Sequence, residues 1–281
     1  MIRCSRTGSH RNGRNVNRAL ARQLIELNNR FYRENASSFS ATRQAPWRGW
    51  DRVVEELIAA RPTAATHLSV LDVACGNRRF ARFLAEKLPH TRLTYLGIDN
   101  CSELSGAGDA SAPSEMASTG GAPASEVVIT CDLLSALLED EDPLADIAPC
   151  NLLCCFGFMH HVPGAELRSV LAEWLVAHTQ SGGIIALSCW RFMDDKRLAT
   201  QARAVTRNCR AYHPDLALEP NDYFLGWQGS ADVPRYCHYI DEWELDNLSV
   251  AACASGAREL ERFYADGDGG VLNRYLLLQK A

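Results

Sequence analysis

The chain has 281 residues, of which 47% are apolar and 22% are charged, a composition typical of one large α/β domain or of such a domain with an appendage. No apolar run reaches the roughly 18 residues that a membrane-spanning helix needs. The basic N-terminus also lacks the apolar core of a secretory signal peptide. These features argue against a membrane protein and lead us to expect a cytoplasmic one.

The formal net charge of −5 is unevenly distributed along the chain. Residues 1–50 contain ten arginines and two glutamates, so this stretch carries +8 and the rest of the chain carries −13. A basic segment on an acidic body can attract a nucleic acid, although a solvated tail explains the same composition. We expect residues 1–16 to form a disordered basic arm.

The eleven cysteines form no CxxC pair and their number is odd. Several of them lie inside or at the ends of apolar, strand-like runs. This distribution is typical of small buried thiols in a reducing compartment. The sequence therefore predicts neither a disulfide framework nor a metal site.

The predicted elements begin with two helices, at residues 17–33 and 51–61, and the second ends before Pro62. Strands and helices then alternate. Strands are predicted at residues 67–74, 92–99, 126–132, 151–158 and 182–190, and helices at residues 78–88 and 165–179. Such alternation predicts a parallel sheet with helices on both faces.

Two final strands, at residues 257–264 and 271–279, flank a Gly/Asp turn and predict an antiparallel hairpin. We therefore predict an α/β, Rossmann-like fold with a mostly parallel, seven-stranded sheet that ends in an antiparallel hairpin. Residues 17–281 would form this domain. Its first part, residues 17–61, would supply helices or a lid, residues 105–126 a mobile loop, and residues 208–245 an inserted segment on the substrate side.

Acidic residues lie at or near the carboxyl ends of three successive strands of the predicted sheet. Asp72 lies in the first strand, just before a turn of small residues at positions 74–77, and Asp99 and Asp132 end the next two strands. At this edge of a parallel sheet, Asp99 could hold two ribose hydroxyls and Asp132 could accept a hydrogen bond from an adenine amino group. A dinucleotide site is not favoured, because the turn lacks the GxGxxG pattern.

The stretches LDVACGN and GIDNCSEL, together with these acids and the terminal hairpin, resemble the class I S-adenosylmethionine-dependent methyltransferases. The resemblance implies S-adenosyl-L-methionine as the cofactor. It implies a cofactor site formed by Asp72, Ala74, Cys75, Gly76, Asn77, Asp99, Asn100, Asp132, Leu133 and Phe156. Ala74 and Arg78 stand where the family usually has glycine, so a non-catalytic protein with a decayed cofactor site is the alternative.

Further stretches resemble one group within that family, the tRNA wobble-uridine carboxymethyl methyltransferases. They are FYRENASSFSATRQAPW, FGFMHHV, NDYFLGW, PRYCHYIDEWEL and NRYLLLQK. The resemblance implies methyl transfer to a carboxylate or another oxygen, with tRNA as a partner that the basic arm could bind. A small-molecule acceptor is the other hypothesis for the same chemistry.

The resemblance also implies roles for individual residues. Arg235 and His238 would orient the acceptor carboxylate, and His161 would line the acceptor pocket or act as a base. Arg43 and Trp47 would close over the cofactor, with Arg43 reaching its methionine carboxylate. Each residue also has an ordinary structural alternative. Arg235 could form a surface ion pair, and the histidines and Trp47 could have packing or capping roles.

Overall fold

A computed structural model describes residues 18–61, 65–106, 114–115, 125–228 and 230–281. The predicted arm at residues 1–16 and most of the predicted mobile loop at residues 105–126 lie outside the described residues. No helix within the described ranges is both long and apolar enough to span a bilayer.

The molecule is built on one large sheet and one small one. The strands are β1 (His67–Val73), β2 (Arg92–Asp99), β3 (Ser114–Glu115), β4 (Ser125–Thr130), β5 (Cys150–Phe156), β6 (Thr179–Trp190), β7 (Asp222–Trp227), β8 (Ser230–His238), β9 (Ala257–Ala265) and β10 (Asn273–Lys280). The large sheet has the order β3-β4-β2-β1-β5-β6-β10-β9. In it, β4, β2, β1, β5 and β6 run parallel to one another. β10 pairs antiparallel with β6, and β9 pairs antiparallel with β10. The predicted seven-stranded sheet is therefore confirmed, and the two-residue strand β3 extends its edge.

Helices cover both faces of the large sheet, as the continuous apolar strands require. They are α1 (Arg18–Ala41), α2 (Gly49–Ala60), α3 (Arg79–Lys87), α4 (Ser102–Ser105), α5 (Leu133–Leu138), α6 (Ala165–Ala177), α7 (Lys196–Tyr212) and α8 (Glu242–Ala254). One apolar core joins α2 and α3 to the sheet, and the other joins α5, α6 and α8 to its opposite face.

The strand register brings the predicted acidic residues to one edge of the sheet. Asp72 of β1 pairs with Gly97 of β2, and Asp99 of β2 pairs with Thr130 of β4. Asp132 follows β4 by two residues. The ends of the three strands therefore meet on the same side, as a parallel sheet with aligned register dictates.

The predicted inserted segment at residues 208–245 contains the small sheet. Here β7 and β8 form an antiparallel hairpin. One cluster, which includes Leu24, Val205, Phe224 and Tyr236, packs α1 and α7 against this hairpin. The hairpin therefore sits beside α1 at the sheet edge where the acids converge.

Candidate active site

A cavity of about 900 Å³ opens at the carboxyl edge of the parallel strands. Most of the site residues predicted from the sequence line this cavity: Arg43, Trp47, Asp72, Ala74, Cys75, Gly76, Asn77, Asp99, Asn100, Asp132, Leu133, Phe156, His161 and Arg235. His238 is the exception among the described residues. The N-terminal helix, the β1 turn and the β7–β8 hairpin thus face one space.

The turn after β1 keeps a glycine-like backbone although two of its residues are not glycine. Ala74, Gly76 and Arg78 have φ angles of 56°, 52° and 60°, in the left-handed region that favours glycine. Arg78 does not line the cavity; its Nη1 lies 3.4 Å from Oε1 of Glu126. The guanidinium of Arg78 therefore leaves the cofactor side of the turn open.

Asp99 fixes this turn through hydrogen bonds to the backbone. Its Oδ2 accepts from the backbone N of Gly76 at 2.8 Å, and its Oδ1 accepts from the backbone N of Cys101 at 2.9 Å. Burial raises the pKa of the Asp99 carboxyl, although these backbone donors oppose the shift. Each carboxylate oxygen keeps a second lone pair, so Asp99 can still accept from a pair of ligand hydroxyls.

Asp132 has a structural role in addition to the predicted one. It caps α5 by accepting hydrogen bonds from the backbone N and the hydroxyl of Ser135, at 3.1 and 2.8 Å. Its Oδ2 also accepts from Nδ2 of Asn29 at 2.7 Å, and Asn29 in turn accepts a hydrogen bond from Asn100. Because Oδ2 already has two donors, Oδ1 is the oxygen of Asp132 with room for a ligand donor.

Asp72 lies deepest among the three acids. Its Oδ2 accepts a hydrogen bond from the hydroxyl of Tyr95, on the neighbouring strand. Burial raises the pKa of the Asp72 carboxyl to about 7, which the Tyr95 hydroxyl counteracts only in part. Through the Tyr95 contact, Asp72 ties β1 to β2 as well as lining the cavity.

Arg43 lines the cavity from the segment that follows α1. Its guanidinium carbon lies 3.4 Å from the ring centroid of Phe39 and 5.5 Å from that of Trp227. Nδ2 of Asn77 donates to the backbone O of Arg43 at 2.8 Å, which ties this segment to the β1 turn. Burial, together with the charge of Arg235, lowers the pKa of Arg43 to about 10, so the guanidinium remains charged at neutral pH.

Arg235, on β8, is a buried cation with no carboxylate within ion-pair distance among the described residues. It is 4% exposed, and its Nε has no hydrogen-bond partner. Its guanidinium carbon lies 5.1 to 6.0 Å from the ring centroids of Phe31, Phe39, Trp190 and Trp227. An unneutralised guanidinium that lines a cavity is a ready partner for an anionic ligand.

His161 is held by three neighbours at the base of the cavity. Its Nδ1 lies 2.9 Å from the backbone O of Tyr236, and its Nε2 lies 2.7 Å from the hydroxyl of Tyr32. Nδ1 also lies 3.1 Å from Nδ2 of Asn28, so it faces both a carbonyl, which can only accept, and an amide nitrogen, which can only donate. Burial and the charge of Arg235 lower the pKa of His161 to about 3, so this neutral ring positions Tyr32. The adjacent His160 also lines the cavity, beside Trp190.

His238 lies away from the cavity, in a buried charge network behind the hairpin. Its Nδ1 lies 2.6 Å from Oδ1 of Asp222, and its Nε2 lies 2.6 Å from Oε2 of Glu244. Arg168 of α6 pairs with the same Glu244 at 2.7 Å. Hydrogen bonds to the two carboxylates raise the pKa of His238 against the effect of burial. The structure therefore separates His238 from Arg235 and ties it to α6 and α8.

Sequence reasoning missed the contribution of α1 and α7 to the cavity. Asn28, Asn29 and Tyr32 of α1 line it, as do Arg197 and Gln201 of α7. One signal was available for α1: Asn28 and Tyr32 stand four residues apart, at helical spacing, beside the apolar face of the helix. The side of the cavity that α7 forms depends on contacts between distant segments, so no local pattern could indicate it.

Several methyltransferases of known structure are similar to this chain in fold. 1,6-Didemethyltoxoflavin-N1-methyltransferase from Burkholderia thailandensis, with its bound substrate and S-adenosylhomocysteine, has a TM-score of 0.56, 12% identity, and coverage of 93% of this chain and 90% of its own. Magnesium protoporphyrin IX methyltransferase from Synechocystis, with bound S-adenosylhomocysteine, matches with a TM-score of 0.54 and 15% identity. The match covers 90% of this chain and 100% of that protein's chain.

A third solved structure, an S-adenosylmethionine-dependent methyltransferase from Methanosarcina mazei, has a TM-score of 0.52, 16% identity, and coverage of 76% of this chain and 93% of its own. No protein-family model and no curated protein matches the sequence. At these identities the likeness establishes the fold, which is the Rossmann-like fold of class I methyltransferases.

Proposed function

We propose that the chain is an S-adenosyl-L-methionine-dependent methyltransferase that transfers a methyl group to a carboxylate or another oxygen, carried by tRNA. One observation carries the proposal. The acidic strand ends and the buried, unneutralised Arg235 line the same cavity. The acids suit a nucleoside, and Arg235 suits an anionic acceptor.

The residues present suit S-adenosyl-L-methionine. Asp99 and Asp132 keep free lone pairs for ribose hydroxyls and an adenine amino group, and a Cβ built on Gly76 would meet only Leu104, at 3.8 Å. Arg43 would hold the methionine carboxylate. Two of the structural neighbours have S-adenosylhomocysteine bound. When bound, the cofactor supplies an electrophilic methyl group on a sulfonium.

The chain's own residues would orient the acceptor and exclude water. A carboxylate nucleophile is ionised at neutral pH and needs no general base, which agrees with a neutral His161. Arg235 would hold the acceptor carboxylate by charge-assisted hydrogen bonds. The four surrounding rings exclude water from this pair, which strengthens it.

The assignment of tRNA is supported by the five quoted stretches and by the basic N-terminal segment. To test it, tritiated methyl groups would be supplied as S-adenosylmethionine to the full chain and bulk tRNA, and the RNA would then be treated with mild alkali. We expect label on the RNA that alkali releases as volatile methanol, because a methyl ester is labile to alkali. The matched control is Arg235→Gln, which keeps a hydrogen-bonding side chain of similar reach but removes the charge.

Other outcomes would correct specific parts of the proposal. Label that resists alkali would keep the RNA acceptor but contradict a carboxylate. If RNA takes no label while the protein still binds S-adenosylhomocysteine, the tRNA acceptor is wrong, and a small-molecule acceptor replaces it. Failure to bind S-adenosylhomocysteine at all would contradict the enzymatic assignment and favour a non-catalytic protein.

A further inference from the structure

The solvent-facing side of α7 carries several positive charges and no negative charge. The helix contains Lys196, Arg197, Arg203, Arg207 and Arg210, and it contains no acidic residue. All five of these cations are exposed. In a chain whose formal net charge is −5, this helix is a local exception.

Four of the five cations lie on one line along the helix. At 100° per residue, Lys196, Arg203, Arg207 and Arg210 fall within a narrow sector of the helix surface. With a rise of 1.5 Å per residue, they extend over about 21 Å. We call these four residues the α7 basic stripe.

The stripe is not neutralised by its own protein. Among the described residues, no carboxylate lies within ion-pair distance of any of its members. Exposed arginines elsewhere are often paired, as Arg18 is with Asp140 and Arg52 with Glu261. The nearest acids in sequence are Asp194 and Asp195 before the helix and Asp215 after it, and Asp195 is occupied in capping α7.

The first turns of α7 reach the cavity that would hold the acceptor, on a different side of the helix from the stripe. Arg197 and Gln201, one turn apart on α7, line this cavity. At its other end the helix finishes with Tyr212, which is 83% exposed. α7 also packs against α1 through Val205 and Cys209, and α1 follows directly on the basic segment that begins the chain.

We propose that the α7 basic stripe binds the phosphate backbone of the nucleic acid that presents the acceptor to the cavity. This inference rests on the proposed tRNA acceptor and adds the surface that receives it. Arginine and lysine side chains bind phosphates through charge-assisted hydrogen bonds and release condensed counterions.

The composition of the helix favours a nucleic acid over a membrane. A helix that lies on a bilayer needs a free apolar face. On α7 the apolar side chains of Ala199, Ala202 and Val205 are buried in the protein. What remains exposed is charged or polar, apart from Ala211 and Tyr212 at the C-terminal end of the helix.

The test compares two variants of the full chain that lose the same amount of charge. The stripe variant is Arg203→Gln, Arg207→Gln, Arg210→Gln. The control variant is Arg92→Gln, Arg258→Gln, Lys280→Gln, whose sites lie at the opposite edge of the sheet, at the starts of β2 and β9 and the end of β10. Binding of bulk tRNA would be measured by filter retention over a series of salt concentrations.

We expect the stripe variant to bind tRNA at least about tenfold more weakly at low salt, and the control variant to bind like the wild type. The slope of log K against log salt should become shallower by about 2 to 3 in the stripe variant, because each phosphate contact contributes about 0.7 to 0.9. Equal slopes for the two variants would overturn the proposal. Tighter binding of phosphatidylserine vesicles than of tRNA by the wild type would also overturn it, in favour of a membrane.

Titration with S-adenosylhomocysteine separates this inference from the proposed function. Both variants should bind it with the affinity of the wild type, because none of the mutated residues lines the cavity. If the wild type binds S-adenosylhomocysteine but not tRNA, the docking surface is wrong while methyl transfer to another acceptor stands. If it binds tRNA through the stripe but not S-adenosylhomocysteine, the enzymatic assignment is wrong and the docking surface stands.

Discussion

At the scale of single residues, the β1 turn holds two side chains in a backbone conformation that favours glycine. Ala74 and Arg78 both have positive φ, which is unfavourable for a residue with a Cβ by about 1–2 kcal/mol. Glycine at position 78 should therefore stabilise the fold by about 1 kcal/mol, less whatever the contact with Glu126 contributes. Urea denaturation of Arg78→Gly and of Ala74→Gly measures this gain.

The same Arg78→Gly variant tests whether the arginine obstructs the cofactor. Since the Arg78 guanidinium points to Glu126, we expect the Kd for S-adenosylhomocysteine to stay within about twofold of the wild type, a difference of less than about 0.5 kcal/mol. A gain of more than about tenfold in affinity would mean that Arg78 blocks the site. It would then support the decayed-site hypothesis.

Arg235 offers the second prediction at this scale. Arg235→Gln should lower kcat/KM for the acceptor by about 10- to 100-fold, because a hydrogen bond to a charged group contributes about 1.5–3 kcal/mol. Stability should be unchanged or higher, since a buried cation without a counter-ion is removed. Arg235→Lys should not restore activity, because an ammonium lacks the planar fork that pairs with a carboxylate. A loss of S-adenosylhomocysteine binding in these variants would instead place Arg235 at the cofactor.

At the scale of elements, the β7–β8 hairpin is tied to α6 and α8 by the charge network around His238. The pKa of His238 is raised above its ordinary value of 6.5. The charged ring therefore stabilises the fold fully below pH 6.5, and this contribution disappears as the pH rises through the raised folded-state pKa. His238→Gln should destabilise the protein by about 3 kcal/mol at pH 6, because it leaves the buried Asp222 without its cation and removes one of the two cations paired with Glu244.

The difference in stability between wild type and His238→Gln should shrink as the pH rises from 6 to 9, as urea denaturation at several pH values would measure. Asp222, Glu244 and Arg168 face the ring, and the hydrogen bonds and charges of His238 and Arg168 lower the pKa of the Glu244 carboxyl against the effect of burial. A difference that does not change with pH would mean that His238 is neutral in the folded state.

The strands and helices of the sheet could be predicted from the sequence because their patterns are local. β2, for example, begins and ends at the predicted residues, Arg92 and Asp99. α7 went unpredicted although Asp195 caps its first turn, because Arg and Gln dilute its apolar side. The β7–β8 hairpin also escaped prediction, since its stability depends on packing against α1 and α7 rather than on alternation in its own strands.

At the scale of the whole molecule, the site is assembled from segments far apart in the chain. Asp72, Asp99 and Asp132 could be predicted as neighbours because strand ends in a parallel sheet converge. The contact of Tyr32 with His161 spans 129 positions. No local pattern encodes such a pair, so this contact emerged only from the fold.

The cavity is lined by the acidic strand ends and by the basic side chains of Arg43 and Arg235. We expect the acidic strand ends to bind a nucleoside cofactor. The most direct measurement is isothermal titration of the full chain with S-adenosylhomocysteine, beside Asp99→Asn as the variant that loses one ribose-binding oxygen.

We expect saturable binding by the wild type at micromolar concentrations and binding about tenfold weaker by Asp99→Asn, a loss of about 1.4 kcal/mol. Circular dichroism of the variant controls for loss of the fold, because Asp99 also holds the backbone N of Gly76. An absence of binding by the folded wild type at high micromolar concentration would contradict the account.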